Sequence, residues 1–301
     1  MSNLSPKNVL RHLGLRPEKA RGQNFLIHPH QARRIVAALE LSPQDLVVEV
    51  GPGLGALTVH LAREAGRVLA LEVDPALVAY LQRDLFAENP RVEIVCQDIL
   101  RFDLVELARN SGRPLAVAGN LPYQITSPLL FKLAAEKAAV SRAVLMMQQE
   151  VGARLAAAPG TKEYGILSVL LHYHFAVEKL FALGPANFYP PPQVTSVVMR
   201  LIPWEFEPRA INEEFFSRVV KAAFATRRKT LRNTLAGKAG ALGLGDAEVL
   251  AALASLDIDP GLRGEALAVA QFVKLSNELW RRLPRGDGWE GPEKEPAGEG
   301  G

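Results

Sequence analysis

The clearest chemical signal in the sequence follows an apolar run at residues 115–119. Four residues come directly after it: Asn120, Leu121, Pro122 and Tyr123. The Asn120 side chain and the Leu121 backbone carbonyl are acceptors that could take both hydrogens of an amino group. Pro122 stiffens the turn, and Tyr123 offers a flat face on which a ring can stack. The alternative interpretation is a tight turn followed by a core tyrosine.

A second candidate site lies where the apolar run 46–50 enters the glycine-rich turn Gly51-Pro52-Gly53-Leu54-Gly55. Glycines let the backbone approach a ligand closely, and ligands of α/β sheets bind at the carboxyl ends of strands. Glu72 follows Gly51 by 21 residues, a spacing at which an acid can accept hydrogen bonds from both ribose hydroxyls. Asp98 follows the next apolar run, where it could accept an adenine amino group. The same glycines also match the dinucleotide fingerprint, so they leave a nicotinamide-dependent oxidoreductase as an alternative.

These candidate residues need a framework, and the hydrophobic periodicity predicts one. Short apolar runs, typical of strands buried on both faces, alternate with amphipathic segments typical of helices. The predicted strands are 46–50, 67–72, 91–96, 115–119 and 143–148, and the predicted helices are 29–41, 55–64, 76–86, 128–137 and 149–158. Two later runs, 172–180 and 194–201, predict an antiparallel hairpin. The sequence therefore predicts an α/β fold with a doubly wound, mostly parallel, Rossmann-like sheet and an antiparallel edge hairpin.

The pattern changes after residue 203, beyond which only helices are predicted, at 215–225, 229–235, 247–254 and 265–281. We therefore expect a ligand-binding catalytic domain with a basic N-terminal extension at 1–204 and a small all-helical domain at 205–285. Residues 286–301 are rich in glycine, proline and glutamate, a composition that cannot bury enough apolar surface to fold. We expect this tail to be disordered.

Charge is unevenly distributed along the 301-residue chain, whose formal net charge is +3. Residues 286–301 carry a local charge of −4, so the remainder carries +7. Residues 1–34 contain seven basic residues and one acid, and residues 218–238 contain seven basic residues and no acid. Such clusters suit a polyanionic partner, although a merely solvated surface is the alternative.

Other features of the chain disfavour several function classes. The single cysteine, Cys96, rules out an internal disulfide framework, and its apolar surroundings predict a small buried side chain. His172 and His174, like His28 and His30, lack the cysteine or carboxylate that would complete a metal site, and a His-x-His alternation in a strand is usually structural. No apolar run reaches the roughly 18 residues of a membrane helix. We expect a cytoplasmic protein without a membrane span or a metal.

Four segments resemble motifs of known methyltransferases. The turn at residues 120–123 resembles the Asp/Asn-Pro-Pro-Tyr signature of amino-group methyltransferases that act on adenine or cytosine. Residues 22–26 (Gly-Gln-Asn-Phe-Leu), 188–196 (Phe-Tyr-Pro-Pro-Pro-Gln-Val-Thr-Ser) and 224–233 (Phe-Ala-Thr-Arg-Arg-Lys-Thr-Leu-Arg-Asn) resemble motifs of the ribosomal RNA adenine N6,N6-dimethyltransferase family. The resemblance covers roughly residues 7–282 and is strongest to the bacterial small-subunit members, whose loss gives kasugamycin resistance.

This resemblance implies the transfer of methyl groups from S-adenosylmethionine to N6 of two adjacent adenines in a hairpin loop near the 3′ end of 16S rRNA, during small-subunit biogenesis. It implies a Rossmann-like methyltransferase sheet with cofactor contacts at Asn24, Leu26, Gly51, Gly53, Glu72, Asp98 and Asn120. It also implies that Tyr123 and Phe188 sandwich the target adenine while Asn120 and Leu121 act on its amino group. The residues that would meet RNA phosphates are Arg227, Arg228, Lys229 and Arg232.

The implied chemistry needs positioning rather than a base. Acceptors aimed at the N6 hydrogens help the nitrogen to pyramidalise and expose its lone pair. No general base is required, because the alkylated amine becomes acidic and loses its proton to water. Leu121 replaces a proline of the signature, which would leave room for a monomethylated N6 to rotate and react again. Gln23 would help to shape the site, and Asn24 stands where relatives carry histidine.

The expected partner is 16S rRNA in the 30S subunit or its precursor, and nothing in the sequence demands more than a monomer. One alternative is a 23S rRNA adenine N6-methyltransferase of the macrolide-resistance type, from which the glycine turn, the turn at 120–123 and the Arg-Arg-Lys segment differ. Another is a non-catalytic nucleic-acid-binding factor on the same fold, which an intact set of candidate residues disfavours. A nicotinamide oxidoreductase would leave the Asn120 turn unexplained.

Overall fold

The computed structural model describes residues 5–18, 22–226 and 228–284. Its strands are β1 (Phe25–Leu26), β2 (Leu46–Val50), β3 (Arg67–Glu72), β4 (Val92–Cys96), β5 (Leu115–Asn120), β6 (Val140–Gln148), β7 (Phe175–Leu183), β8 (Phe188–Tyr189) and β9 (Ser196–Pro203). Its α-helices are α1 (Pro6–His12), α2 (Pro29–Ala37), α3 (Thr58–Glu64), α4 (Pro75–Tyr80), α5 (Leu104–Ser111), α6 (Thr126–Ala135), α7 (Gln149–Leu155), α8 (Ile166–His174), α9 (Glu213–Ala223), α10 (Leu231–Leu235), α11 (Ala239–Leu242), α12 (Asp246–Ser255) and α13 (Val269–Arg281).

The chain divides into two compact units. The first comprises Met1–Ala156 and His174–Trp204, and the second comprises Ala157–Tyr173 and Glu205–Gly301. Residues 157–173 therefore belong to the second, helical unit, although in sequence they lie between strands β6 and β7 of the sheet. This assignment was not predicted from the sequence. The domain boundaries at 204 and 285 stay predictions, and the tail at 286–301 lies outside the described residues.

The first unit is built on a seven-stranded sheet in the order β4-β3-β2-β5-β6-β9-β7. Neighbouring strands from β4 to β6 are parallel, and β9 pairs antiparallel with both β6 and β7. The order of strands along the chain reverses between β2 and β5, which is the switch point where α/β sheets bind ligands. The predicted fold class is confirmed, including the antiparallel hairpin at one edge.

Strand β2 lies in the interior of the sheet, and all five of its residues are buried. On one face Val47 packs with residues of α2 and α3 in a large apolar cluster that includes Ile35 and Leu61. Because side chains alternate along a strand, Glu49 lies on the same face as Val47. The burial of both faces fixes the register of β2, and with it the position of the turn that follows.

A second, two-stranded sheet lies in the same unit. Phe25 pairs with Tyr189 and Leu26 with Phe188, in antiparallel register. Two segments that resembled separate family motifs are therefore joined by backbone hydrogen bonds. Strands of two residues give almost no periodic signal, which explains why the sequence did not predict them.

The second unit is helical, and aromatic side chains form much of its core. Phe215, Phe216 and Phe272 are fully buried, and the rings of Tyr173 and Phe216 lie 4.6 Å apart between centroids. The Tyr164 hydroxyl donates a hydrogen bond of 3.0 Å to the carbonyl of Leu267. Segment 157–173 is thus fastened to this unit by ring packing and by a buried hydrogen bond.

Several predicted elements differ from the structure. Helices α5 and α8 were not predicted, and His172 and His174 end α8 instead of alternating in a strand. Helix α8 is apolar on most of its surface, so its sequence cannot be distinguished by periodicity from a buried strand. The strand after it therefore begins at Phe175, three residues later than the predicted start at 172.

The prediction that Cys96 is buried is wrong. Cys96 is exposed, because it ends β4 and β4 is the edge strand of the seven-stranded sheet. An edge strand has a neighbour on one side only, so the apolar run that contains Cys96 is less covered than runs in the middle of the sheet.

Candidate active site

One cavity of about 260 Å³ lies at the carboxyl ends of the central parallel strands. It is lined by every residue of the first unit to which the sequence gave a cofactor or catalytic role, namely Asn24, Leu26, Gly51, Gly53, Glu72, Asp98, Asn120, Leu121, Tyr123 and Phe188. Four different strands and the two-stranded sheet supply these residues, so tertiary structure brings together what the sequence separates. Their individual roles stay predictions.

The charges on the cavity wall have one sign. Glu49, Glu72 and Asp98 are on the wall, and among the described residues that line it there is no lysine, arginine or histidine. Most of the remaining wall is apolar. A wall of this kind suits a ligand that is largely apolar and carries positive charge.

The backbone of the glycine-rich turn forms part of the cavity wall. Gly53 has a φ of +59°, which favours glycine, and a Cβ there would lie 3.1 Å from the Phe25 ring. Its N–H donates to the Glu72 carboxylate over 3.2 Å. A side chain at residue 53 would therefore crowd the Phe25 ring, and the backbone of the turn lies on the cavity wall.

Glu72 ends β3 and is held by three backbone N–H groups. Besides Gly53, the N–H groups of Val73 and Asp74 donate to its carboxylate over 2.9 and 3.1 Å. Burial raises the pKa of Glu72, and these three donors act in the opposite direction. The donors fix the orientation of the carboxylate at the end of the strand.

Asp98 follows β4 and begins a short 3-10 helix. Its Oδ1 accepts from the Leu100 N–H over 2.9 Å and so caps that helix. The capping bond sets the orientation of the side chain, and the second carboxylate oxygen is available to a ligand that enters the cavity.

The Asn120 side chain has a defined orientation. Its Nδ2 donates to the backbone carbonyl of Asn24 over 2.8 Å, which leaves Oδ1 as an acceptor. The Leu121 N–H donates to the carbonyl of Met146 on the neighbouring strand over 2.9 Å. Pro122 accepts from the Thr126 hydroxyl over 3.1 Å. Residues 120–122 are thus anchored on both sides before any ligand binds.

The two aromatic residues that the family resemblance assigned to the base both reach the cavity. Phe188 is only 2% exposed, because it also packs in the apolar cluster under the sheet. Tyr123 is partly buried. Burial raises the pKa of Tyr123, and the nearby Gln148 and Ser196 side chains act in the opposite direction.

Glu49 was not predicted to be a site residue. Glu49 is 1% exposed, it lines the cavity, and its Oε2 has no hydrogen-bond partner among the described residues. Burial raises its pKa from the ordinary value of 4.5 to about 8, with Thr58 opposing and Glu72 reinforcing the rise. The available signal was a lone acid in an otherwise apolar strand, Leu46–Val50.

Gln23 was expected to help shape the site, and the structure places it at the cavity wall. Its Nε2 lies 3.3 Å from Asp74 Oδ2, and its Oε1 accepts from the Glu18 N–H over 3.0 Å. Asp74 in turn caps α4 through the Ala76 N–H. Gln23 thus connects the N-terminal segment to the helix that follows Glu72.

The residues predicted to meet RNA lie in the second unit. Arg228, Lys229 and Arg232 are exposed, and Arg227 lies outside the described residues. The predicted helix 229–235 begins only at Leu231, so Arg228 and Lys229 precede it in a turn. Leu231 and Leu235 are fully buried, which leaves the basic side chains on the outside.

Within residues 5–18, 22–226 and 228–284, no group of three or more His, Cys, Asp or Glu side chains could hold a metal ion. In the same part of the chain, every helix is too short or too polar to cross a bilayer.

The sequence is similar to those of known ribosomal RNA methyltransferases. The model of a family described as ribosomal RNA adenine dimethylase matches residues 15–279. The ribosomal RNA small subunit methyltransferase A of Geobacter metallireducens is 47% identical over 269 residues, which cover 88% of this chain and 96% of that protein.

Solved structures are similar as well. A dimethyladenosine transferase from Plasmodium falciparum has a TM-score of 0.70 and 26% identity, over 83% of this chain and 95% of that one. A 23S rRNA methyltransferase, ErmE, has a TM-score of 0.63 and 27% identity, over 85% of this chain and 99% of that one.

The raised pKa of Glu49 predicts a pH dependence of stability. The folded protein holds a proton that the unfolded chain has lost above about pH 4.5, so this contribution to stability is complete below that pH. This contribution to stability is lost progressively as the pH rises from about 4.5 to about 8. Relative to a Glu49→Gln variant, the wild type should lose up to about 1.4 kcal/mol of unfolding free energy per pH unit in this interval. Urea denaturation at several pH values measures it.

The matched control is Glu106→Gln, which neutralises an exposed acid on α5. Its unfolding free energy should follow that of the wild type with pH. Parallel curves for the wild type and Glu49→Gln would contradict the assignment of a buried, protonated Glu49.

Proposed function

The chain belongs to the ribosomal RNA adenine dimethylase family, and we propose that it is an S-adenosylmethionine-dependent methyltransferase that dimethylates adenine N6 in 16S rRNA. The observation that carries the proposal is the single cavity shared by the glycine-rich turn, the two strand-end acids and the turn at residues 120–123. The substrate is two adjacent adenines in a hairpin loop near the 3′ end, modified during small-subunit biogenesis. The relative named for the small subunit supports this choice.

The cavity wall fits the methyl donor. The Glu72 carboxylate, fixed by three backbone donors, would accept the ribose hydroxyls, and Asp98 would accept the adenine amino group. The backbone at Gly51 and Gly53 would meet the amino-acid part, and Asn24 and Leu26, which line the same cavity, would also contact the cofactor. When bound, S-adenosylmethionine supplies a methyl group activated by its sulfonium.

The chain's own contribution to the reaction is to hold the target amino group. The Nδ2 of Asn120 donates a hydrogen bond to the Asn24 carbonyl. The Oδ1 of Asn120 is therefore the side-chain atom that can accept one N6 hydrogen. The Leu121 carbonyl would accept the other. Both acceptors favour the pyramidal nitrogen, whose lone pair is free to react. Tyr123 and Phe188 would hold the flipped base between their rings.

A titrating base is not needed at N6, because the alkylated nitrogen is acidic enough to lose its proton to water. The Leu121 side chain is apolar and buried, so the residue that stands in place of the second-position proline would leave room for a monomethylated amino group. Rotation of that group would then allow a second transfer.

We further propose that the partner is the 30S subunit or its precursor, met by a monomer in the cytoplasm. The exposed Arg228, Lys229 and Arg232 would contact phosphates, with Arg227 beside them in the sequence. These contacts are independent of base sequence and would position the RNA.

A second candidate substrate is 23S rRNA. The likeness to ErmE, at nearly the same identity as the likeness to the dimethyladenosine transferase, is the observation behind this alternative, whereas the 47% identical small-subunit relative favours 16S rRNA. Both candidates share the cavity chemistry, so the substrate must be decided by experiment.

Asn120→Ala removes one acceptor. We expect kcat for methyl transfer to fall by about 10²-fold, as for loss of one preorganised hydrogen-bonding group in other enzymes, with a smaller change in cofactor affinity. Single-turnover transfer and equilibrium cofactor binding measure the two effects separately. Asn110→Ala, an exposed helical site on α5, is the matched control and should retain both. Turnover near the wild-type level in Asn120→Ala would refute the assigned role.

Reversal of charge at Arg228, Lys229 and Arg232 to glutamate should weaken RNA binding. Each lost phosphate contact lowers the slope of log affinity against log salt by about 0.7, so the triple variant should lose about 2 from the slope. The control reverses Arg83, Arg91 and Arg109, which are exposed in the first unit, for the same change in net charge. Equal slopes for both triple variants would place the RNA contacts elsewhere.

The test of the function is methyl transfer from labelled S-adenosylmethionine to undermethylated 30S subunits, with 50S subunits and naked 23S rRNA in parallel. Nucleoside analysis should find dimethyladenosine in 16S rRNA alone. Label in 23S rRNA would support the alternative substrate, and cofactor binding without any label would refute catalysis.

A further inference from the structure

Glu49 is a buried acid that the proposed mechanism does not use. Its carboxyl lies in the interior strand β2, and its register partners on the neighbouring strands are Ala70 and Ala118. Neither alanine can donate a hydrogen bond from its side chain. Thr58 is the polar neighbour on α3, and Oε2 has no hydrogen-bond partner among the described residues.

A buried carboxylate is unstable without a compensating charge. Within the described part of the chain, no lysine, arginine or histidine is among the groups that shift the pKa of Glu49, and the described cavity wall carries no cation. None of the described residues supplies the compensating charge, whereas a cationic ligand would supply it. Since Glu49 lines the cavity, a ligand bound there would lie near its carboxyl.

The other charged groups around the cavity do not take the place of Glu49 as the acid that would pair with a cationic ligand. Glu72 on β3 faces the same cavity but is satisfied by three N–H donors, and its negative charge disfavours ionisation of Glu49. Asp74 lies beyond Glu72, and Asp98 follows β4. On α3 the titratable neighbour of Thr58 is His60, whose pKa is lowered by burial and by Arg63 and Arg33. Glu49 is thus the acid of the wall best placed to hold a proton.

We propose that Glu49 selects the charge of the bound cofactor by exchanging a proton: its carboxyl is neutral in the free protein and ionises when the cationic methyl donor occupies the cavity. This inference rests on the proposed function, because it takes S-adenosylmethionine as the ligand. Binding of the donor releases one proton from Glu49 to solvent. S-adenosylhomocysteine has the same α-ammonium but an uncharged thioether sulfur, so it brings one positive charge fewer into the cavity and the carboxyl keeps its proton.

This proton exchange gives the protein a preference between the donor and the product that depends on the charge of the ligand. The donor and the product differ at sulfur by one methyl group and one positive charge, so shape alone distinguishes them weakly. An ionised Glu49 attracts the sulfonium, whereas a protonated Glu49 matches the neutral thioether. The same residue therefore favours entry of the donor and loss of the product.

Linkage gives the pH dependence. Because donor binding releases a proton from a group that is still protonated below about pH 8, donor affinity should rise with pH by up to tenfold per unit. Product affinity should change much less. The ratio of the product's dissociation constant to the donor's should therefore increase between about pH 5.5 and about pH 7, a range in which the amino groups of both ligands stay largely protonated.

Isothermal titration calorimetry in pairs of buffers with different ionisation enthalpies tests the proposal, because it counts the protons exchanged on binding. The ligands are S-adenosylmethionine, S-adenosylhomocysteine and an analogue in which a protonated amine replaces the sulfonium. For the wild type at about pH 7, both cationic ligands should release close to one proton more than the thioether. In Glu49→Gln this difference should fall to nearly zero, and in Glu106→Gln, an exposed acid, it should remain.

Glu49→Gln has the charge and nearly the shape of the protonated acid, so thioether binding should persist in it and shows that the variant is folded. The pH profile of the wild type needs no variant and tests the same linkage. Equal proton release by all three ligands in the wild type would overturn the proposal, as would a difference that persists in Glu49→Gln. If the wild type binds none of the ligands, the proposed function fails and this inference fails with it.

Discussion

The hydrogen bond from the Asn120 side chain to the Asn24 carbonyl is the contact on which the candidate active site depends. It joins residues 96 positions apart and fixes which atom of the Asn120 amide is left to accept. The amide has one donor end and one acceptor end, so occupation of the donor end by the N-terminal segment determines the chemistry available in the cavity. The N-terminal segment is therefore a structural part of the site.

That segment is itself held in place by its pairing with β8. Leu26 pairs with Phe188, so the residues expected near the cofactor and near the target base share one small sheet. Gln23 adds a connection to Asp74 at the start of α4. The site is assembled from four strand ends and the separate β1–β8 pair, and backbone hydrogen bonds hold each of these strands in place.

Electrostatics gives the cavity its character. Three acids and no described cation line it, yet the acids differ in how they are satisfied. Glu72 has three backbone donors and Asp98 caps a short helix, whereas one oxygen of Glu49 has no described partner. The three acids therefore differ in their hydrogen bonding, and the wall as a whole is suited to positive charge.

The sequence by itself determined the fold class and placed the glycine-rich turn, Glu72, Asp98 and the turn at 120–123 at strand ends, because these rest on local signals, whereas Asn24, Leu26 and Phe188 came from the family resemblance. Apolar runs such as 46–50 mark buried strands, and a glycine-rich turn or an acid directly after such a run marks a strand end. Only the tertiary structure decided the exposure of Cys96, the helical state of His172 and His174, and the importance of Glu49. Those properties depend on which strand lies at an edge, on what packs around an apolar helix and on whether a buried carboxyl has a partner, and contacts between residues distant in sequence leave no periodic signal.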